Sequence, residues 1–206
     1  MIKFTANFTF AGKNCTTSAT QKVNYLDYKQ VGDGAKVTGF YGYLEDDEEL
    51  VIPDKVPKDY VNEIIAGSDI NYIDGQAFKN NNIIRKVKMG ENIKGFSNES
   101  FMGCKNLTEV TIGSNLESLG SDCFANCPNL KSFKTTACGY LYLTNGANPF
   151  SGSDNVVAYT PHSVVFQKRL QSVGVKTIGT DKHNYSINWD WSNYYRNCVM
   201  HIKCSE

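Results

Sequence analysis

The sequence has no excess charge of either sign, because 21 lysine and arginine residues balance 21 aspartate and glutamate residues. A protein that binds nucleic acid by neutralising phosphates normally carries a basic excess, often in tracts, and this chain has neither. It also lacks the polybasic runs and lipidation motifs that attach proteins to anionic membranes. We therefore expect no nucleic acid among its partners.

Long hydrophobic runs are missing as well. None approaches the roughly 20 apolar residues that a membrane-spanning helix needs, so we expect no membrane insertion. Residues 1–10 alternate polar and apolar types and lack the apolar core of a signal peptide. Either the chain is not exported by that route or a leader has been removed. Hydrophobic residues at 41% nevertheless predict a folded protein of one domain, or of two small ones.

Motifs for enzymatic chemistry are absent too. There is no phosphate-binding GxxxxGK[ST] or GxGxxG sequence, and Cys123 and Cys127 are spaced too widely for a CxxC site. None of the three histidines has a nucleophile and an orienting residue near it in sequence. The acidic run at residues 45–49 predicts a solvated loop between two strands, with weak divalent-cation binding as the alternative. We expect no catalytic, cofactor or metal site.

What the sequence does contain is a repeat of 23 residues, the interval between Phe78, Phe101 and Phe124. Other columns follow the same spacing: Ile84, Leu107 and Leu130; Val87, Val110 and Phe133; Ile93 and Leu116; and the small residues Ala77, Ser100 and Cys123. Degenerate copies flank these units at residues 50–73 and 150–161. So many matching columns are not expected by chance, and they predict a repeat architecture.

Each unit contains the L-x-x-L-x-L core of a leucine-rich repeat, whose alternating half predicts a short strand with one face inward. The phenylalanine and the small residue before it are predicted to pack against that face. A single unit cannot bury both surfaces alone, so the units must stack. The predicted fold is an α/β repeat solenoid of 23-residue leucine-rich repeats with short parallel strands, flanked by β-rich terminal segments.

Residues 37–179 resemble the BspA-like, or cell-surface type, leucine-rich repeat family. Its unit has the form Ile-Gly-x-x-Ala-Phe-x-x-Cys-x-x-Leu-x-x-Val-x-Ile-Pro, which is matched by residues 73–78, 100–112 and 119–130. The chain departs from this form where Asn82 replaces the cysteine or its neighbour, and where Gly90 and Gly113 replace proline. The resemblance implies a solenoid at the cell surface or outside the cell, with a role in protein binding or adhesion.

The resemblance also bears on the seven cysteines, whose odd number prevents all of them from pairing within one chain. Cys104 and Cys127 occupy one column of the repeat. We therefore expect them to lie stacked and buried as free thiols beneath a loop. A disulfide down the column is the alternative.

The terminal segments differ in character from the repeat domain at residues 37–179. Residues 1–36 predict a strand from Ile2 to Phe10, a turn at 11–14 and a return strand around 23–25, and residues 180–206 predict a β-hairpin. A solenoid exposes apolar edges, so both segments are predicted to be caps. Alternatively, the N- and C-terminal strands pair into a small sheet that attaches the chain to another copy or to a larger assembly.

Two surfaces are candidates for partner binding. The x positions of the repeat core are predicted to form a mostly basic outward strip: Arg85, Lys86 and Lys88; Thr108, Glu109 and Thr111; Lys131, Ser132 and Lys134; and Val157, Ala158 and Thr160. The second surface is an aromatic cluster in the C-terminal tail, suited to a protein or a glycan: Trp189, Trp191, Tyr194 and Tyr195.

These features predict a non-enzymatic protein-binding or adhesion module, extracellular or at a cell surface, whose partner is a host or assembly protein or a glycan. The alternative is a structural component of a virion or another extracellular assembly, joined into an oligomer through its terminal β strands. An enzyme would need active residues that are brought together only in space.

Overall fold

The structure is a computed structural model that describes residues 2–10, 13–21, 25–60, 62–144, 148–161, 163–180, 185–189 and 200–204, with side chains described within residues 25–180. The strands and the helix of the described chain are β1 (Ile2–Phe10), β2 (Lys13–Gln21), β3 (Tyr25–Val31), β4 (Gly34–Tyr41), β5 (Glu49–Ile52), β6 (Ile70–Ile73), β7 (Lys86–Met89), β8 (Gly95–Phe96), β9 (Glu109–Ile112), β10 (Ser118–Leu119), β11 (Ser132–Thr135), β12 (Tyr142–Leu143), β13 (Val157–Thr160), α1 (Val164–Gln171), β14 (Lys176–Gly179), β15 (Tyr185–Trp189) and β16 (Met200–Cys204).

Two six-stranded sheets enclose one hydrophobic core. The front sheet has the order β14-β13-β11-β9-β7-β5, and all its neighbouring strands are parallel. The back sheet has the order β12-β10-β8-β6-β4-β3, and only the β3–β4 hairpin within it is antiparallel. Each coil adds one strand to each sheet, so the predicted solenoid is confirmed. The helix α1 follows the last coil, and the described coils themselves consist of strands and turns.

The phenylalanine column forms the centre of the core. Phe78, Phe101, Phe124 and Phe150 stack in sequence with ring centroids 4.5, 5.4 and 5.5 Å apart and interplanar angles of 12–15°. All four rings are buried. Front-sheet side chains such as Phe133 pack edge-on against this stack, as the repeat pattern predicted. Because each ring contacts the ring of the next coil, the column stabilises the stacking of coils as well as each coil.

Tight corners recur with the same period as the apolar columns. Two sets of residues adopt the left-handed conformation, with φ between 54° and 74°: Gln76, Glu99 and Asp122, and then Asn80, Gly103, Asn126 and Gly152. This conformation is costly for most residues, whereas glycine and asparagine adopt it most readily. The left-handed conformation therefore explains why the positions of the second set hold asparagine or glycine in every coil.

The cysteine prediction is confirmed. Cys104 and Cys127 are free, fully buried thiols in adjacent coils, and Cys123 fills the small-residue column. The first coil places Asn81 in the cysteine column, so the departure lies there and Asn82 is its neighbour. The carboxamide oxygen of Asn81 accepts hydrogen bonds from two backbone N–H groups of its own turn, a role that a thiol cannot fill as well.

Steric crowding explains why Gly90 and Gly113 stand where the family has proline. A Cβ atom added to Gly113 would lie 2.6 Å from Glu91 Cα, and one added to Gly90 would lie 3.0 Å from Asp54 N. The space beside Gly113 is filled by the Glu91 carboxylate, which accepts hydrogen bonds from the next coil. Its donors are the N–H and the hydroxyl of Ser114, at 2.6 and 2.8 Å. These bonds lower the pKa of Glu91. Any side chain at Gly113 would displace this contact.

The C-terminal end of the repeats consists of the short helix α1 and the final strand β14. The Ser163 side chain caps α1 by accepting a hydrogen bond from Phe166 N–H, and Phe166 and Leu170 are buried against the core. β14 then adds to the edge of the front sheet beside β13.

The N-terminal segment differs from the prediction. β1 pairs with β2, with Phe10 opposite Lys13, so the return strand is Lys13–Gln21, upstream of the predicted one. Residues 23 and 24 of the predicted strand lie outside the described residues. Tyr25 instead begins β3, at the edge of the back sheet. Periodicity missed β2 because its run of threonine, serine and alanine has no alternating apolar residues, and only its threonines favour a strand by propensity.

The C-terminal hairpin is confirmed, since β15 and β16 pair antiparallel with Trp189 opposite Met200. In the described chain, the terminal strands form two separate hairpins, so the predicted pairing of N-terminal with C-terminal strands is wrong. The division into three parts at residues 37 and 179 stays a prediction, and the back sheet includes β3 upstream of residue 37.

Candidate partner-binding surface

The outer face of the front sheet presents two rows of side chains, which we call the front rows. Strand register aligns Glu49, Lys86, Glu109, Ser132, Val157 and Lys176 in the first row, and Val51, Lys88, Thr111, Lys134, Tyr159 and Ile178 in the second. Neighbouring strands are about 4.8 Å apart, so the rows are evenly spaced. The parallel ladder fixes the backbone beneath them, and the rows therefore present side chains from a rigid surface.

The structure brings the predicted strip residues together. Seven of the twelve lie in the front rows, namely Lys86, Lys88, Glu109, Thr111, Ser132, Lys134 and Val157. Arg85, Thr108 and Lys131 immediately precede β7, β9 and β11. Of these ten residues, Arg85, Lys88, Lys131 and Lys134 are exposed and the others are half-buried. Their role in binding stays a prediction.

Two basic residues of the strip are already paired with carboxylates. Lys134 Nζ lies 2.7 Å from Glu109 Oε1, and Arg85 Nη2 lies 2.9 Å from Asp46 Oδ1. Exposed ion pairs of this kind contribute little to stability, so a partner can exchange them for its own contacts. Lys86 and Lys88 form no ion pair with the rest of the described chain. Among the lysines of the front rows, Lys86, Lys88 and Lys176 therefore have no carboxylate partner in the described chain, and two of these three lie on β7.

The predicted strip was wrong in its last unit. Val157 points outward as predicted, but Ala158 and Thr160 are fully buried, and Tyr159 points outward in their place. The longer spacing before this unit shifts its frame, and the small residues on β13 give no clear alternation. Sequence reasoning also left out the row positions on β5 and β14, although the inward residues Leu50 and Ile52 would have indicated that Glu49 and Val51 point outward.

The aromatic cluster of the tail lies mostly outside the described residues. The backbone of Trp189 ends β15, but its side chain lies outside the described part, as do Trp191, Tyr194 and Tyr195 altogether. Their predicted contact with a protein or glycan stays a prediction.

Within the described part of the chain, no group of three or more histidine, cysteine, aspartate or glutamate residues is arranged to hold a metal ion. The acidic run at residues 45–49 begins as the predicted loop after β4, and its last residue, Glu49, starts β5. None of the described helices has the length and apolar content needed to cross a membrane.

Comparison with known proteins identifies the repeat. The family model for the BspA type leucine rich repeat region matches residues 58–156 in six copies. No curated protein matches the chain significantly. The family match agrees with the 23-residue spacing and with the stacked coils.

Several solved leucine-rich repeat structures are similar to the chain. One is a leucine-rich repeat protein from Bacteroides capillosus ATCC 29799, at 22% identity and a TM-score of 0.49, covering 64% of this chain and 97% of that one. Another is a leucine rich cell surface protein from Faecalibacterium prausnitzii A2-165, at 14% identity and a TM-score of 0.45, covering 78% of this chain and 48% of that one. A third, from T. pallidum, has 14% identity and a TM-score of 0.40, with coverages of 74% and 95%.

Proposed function

From the membership of residues 58–156 in the BspA-type leucine-rich repeat family, we propose that this chain is a non-enzymatic protein-binding or adhesion module presented at a cell surface. Leucine-rich repeats of this type suggest such a role in general terms, and the fold alone does not select a partner. We assign recognition to the front rows, because they combine a rigid backbone with closely spaced polar, basic and apolar side chains.

The observation that carries the proposal is the free positive charge on β7. Lys86 and Lys88 have no carboxylate partner in the described chain, and Lys134 on β11 is paired with the half-buried Glu109. Val51 and Ile178 add apolar surface at the ends of the second row, with exposures of 57% and 40%. Such a face fits an acidic protein surface, since complementary charge directs association and apolar contacts add affinity.

The test is a triple charge reversal, Lys86→Glu, Lys88→Glu and Lys134→Glu, measured by biolayer interferometry. The probes are purified extracellular proteins that range from acidic to basic. We expect the wild-type chain to bind acidic members of this panel. The triple variant should bind them at least about tenfold more weakly, because three attractive contacts become repulsive.

A matched control reverses three exposed lysines outside the front rows, Lys29→Glu, Lys58→Glu and Lys105→Glu. It changes the net charge by the same amount and should retain most of the affinity. Unchanged binding by the front-row variant, or an equal loss in both variants, would place recognition elsewhere on the molecule.

The role as a structural component of a virion or other assembly stays the alternative. It requires contacts between copies through the terminal segments, so the mass of the full chain in solution separates the two functions. A stable oligomer that dissociates when residues 185–206 are removed supports the assembly role, whereas a monomer that binds acidic proteins supports recognition by the front rows.

A further inference from the structure

A second surface lies at the N-terminal end of the solenoid, where a further coil would stack. A groove of about 960 Å³ opens there between β3, the last strand of the back sheet, and β5, the last strand of the front sheet. Its volume falls in the range of ligand-binding clefts. We call it the N-terminal groove, and it shares only Glu49 and Val51 with the front rows.

The first wall of the groove is aromatic and held rigid. The rings of Tyr25 and Tyr41 stack with centroids 5.1 Å apart, and each side chain is about half exposed. The Tyr60 hydroxyl donates a hydrogen bond to Asp27 Oδ1, which also accepts Tyr28 N–H at 3.0 Å. The Tyr60 ring meets Tyr28 edge-on, at 5.1 Å between centroids. These contacts fix the tyrosines before any partner arrives.

The floor is apolar and the opposite lip is aliphatic. Leu26, Leu44 and Leu50 form the floor and are less than 9% exposed, while Val51 on the lip is 57% exposed. A partner that buries this surface gains the hydrophobic free energy of its apolar contacts.

The charged residues that line the groove are all acidic. Asp27, Glu48, Glu49 and Asp59 line it, and its described lining includes no lysine or arginine. Cationic groups are attracted to clefts lined by carboxylates, and the exposed faces of Tyr25 and Tyr41 can also contact a lysine or guanidinium group. The groove therefore selects for a basic partner, the opposite of the partner proposed for the front rows.

The backbone beside the groove favours an extended partner. Among the described strands, none pairs with the outer edge of β5 or of β3. An unpaired edge is a template for strand addition by a peptide segment. A strand added beside β5 would place alternate side chains next to Glu49 on the outside and next to Leu50 over the floor, because strand side chains alternate between the two faces.

We propose that the N-terminal groove binds an extended segment of a partner protein in which lysine or arginine alternates with apolar residues. The segment adds along the edge of β5. Its basic side chains meet Glu49 and Asp59, and its apolar side chains cover Leu26 and Leu50.

The test measures fluorescence anisotropy of the full chain with three short fluorescein-labelled peptides. One alternates lysine and valine, one has the same composition in two blocks, and one alternates glutamate and valine. We expect the alternating lysine peptide to bind more tightly than the other two, with an affinity that falls as salt is added. The double variant Glu49→Gln, Asp59→Asn should weaken this binding about 5- to 10-fold.

The matched control is Glu117→Gln, Asp154→Asn, which removes two exposed carboxylates away from the groove and should leave the affinity within about twofold of wild type. Thermal unfolding of both double variants verifies that they are folded. The proposal would be overturned if the block peptide or the glutamate peptide bound as tightly as the alternating lysine peptide. Wild-type affinity of the variant Glu49→Gln, Asp59→Asn for the alternating lysine peptide would also overturn it.

Two further outcomes are informative. If the chain without peptide is a dimer that Glu49→Gln, Asp59→Asn dissociates, a second copy occupies the groove and the proposed partner is wrong. The front-row variant with Lys86, Lys88 and Lys134 reversed should bind the lysine peptide at least as well as wild type. Failure at the groove is therefore distinguishable from failure of the proposed function.

Discussion

The Cys104 thiol donates a hydrogen bond of 3.0 Å to the carbonyl oxygen of Phe78, which lies 26 residues earlier in the preceding coil. Cys127 makes the same bond to Phe101 at 3.2 Å. In the next coil a serine takes this place, and the Ser153 hydroxyl donates to Phe124 at 2.7 Å. In these three coils the column therefore holds a small side chain that donates a hydrogen bond to the preceding coil, and sulfur itself is not essential.

This relationship predicts how substitutions at Cys104 rank. Cys104→Ser keeps a donor for the Phe78 carbonyl, whereas Cys104→Val removes the donor and adds a methyl group to a packed site. We expect the valine variant to lower the free energy of unfolding by about 1–3 kcal/mol, and the serine variant to lose less. Urea unfolding measures both, with Cys138→Ser as a control outside the column. Equal stability of the two Cys104 variants would contradict a role for the hydrogen bond.

Thiol reactivity should follow burial. The contact with Cys127 and burial raise the pKa of Cys104, and burial raises the pKa of Cys123. Both side chains are fully buried, whereas Cys138 is half-buried. At pH 8 we therefore expect iodoacetamide to label Cys138 before Cys104 and Cys123, which should react only after unfolding, as measured by peptide mass spectrometry. Rapid labelling of Cys104 in the folded chain would show that its coil opens locally.

The phenylalanine column should dominate core stability. Phe101 lies between Phe78 and Phe124, so its truncation removes two stacked ring contacts and leaves a cavity in the middle of the stack. Phe101→Ala should lower the free energy of unfolding by about 3–5 kcal/mol. Phe40→Ala, at a half-buried position on β4, should cost clearly less in the same urea titration. Similar losses at both sites would mean that the stack adds nothing beyond ordinary burial.

The repeats were predictable because their signal is strong and local. Phe78, Phe101 and Phe124 recur at a constant spacing, and front strands such as β7, from Lys86 to Met89, show a period-two alternation. The back sheet was not predicted, because β8, β10 and β12 have only two residues each and two residues cannot show a period. The repeated apolar pair in that part of the unit, Ile93 with Phe96 and Leu116 with Leu119, was the available signal.

The surfaces were less predictable than the fold. The front rows follow from alternation within the strands, which is why seven of the twelve predicted strip residues fall in them. The N-terminal groove depends instead on contacts between residues far apart in sequence, such as Tyr60 with Asp27. No periodicity encodes such a contact. The ion pairs of Arg85 and Lys134 were hidden for the same reason, since each joins neighbouring coils or a loop to a strand.

The tyrosines beneath the groove predict a loss of stability at alkaline pH. Burial, assisted by the neighbouring Tyr60, raises the pKa of Tyr28 from 10.0 to about 12. Burial and the hydrogen bond to Asp27 also raise the pKa of Tyr60. A tyrosine whose pKa is higher in the folded state binds its proton more tightly there than when unfolded. Its contribution to stability is therefore complete below pH 10 and is lost as the pH rises towards 12.

Urea unfolding at intervals from pH 9 to pH 12 measures this loss. The free energy of unfolding of the wild-type chain should fall steeply above pH 10, and Tyr28→Phe should flatten the fall because the titrating hydroxyl is gone. The exposed residue Tyr142 supplies the control, since Tyr142→Phe should leave the slope as in wild type. If Tyr28→Phe and Tyr142→Phe give the same slope, the alkaline loss arises elsewhere in the chain.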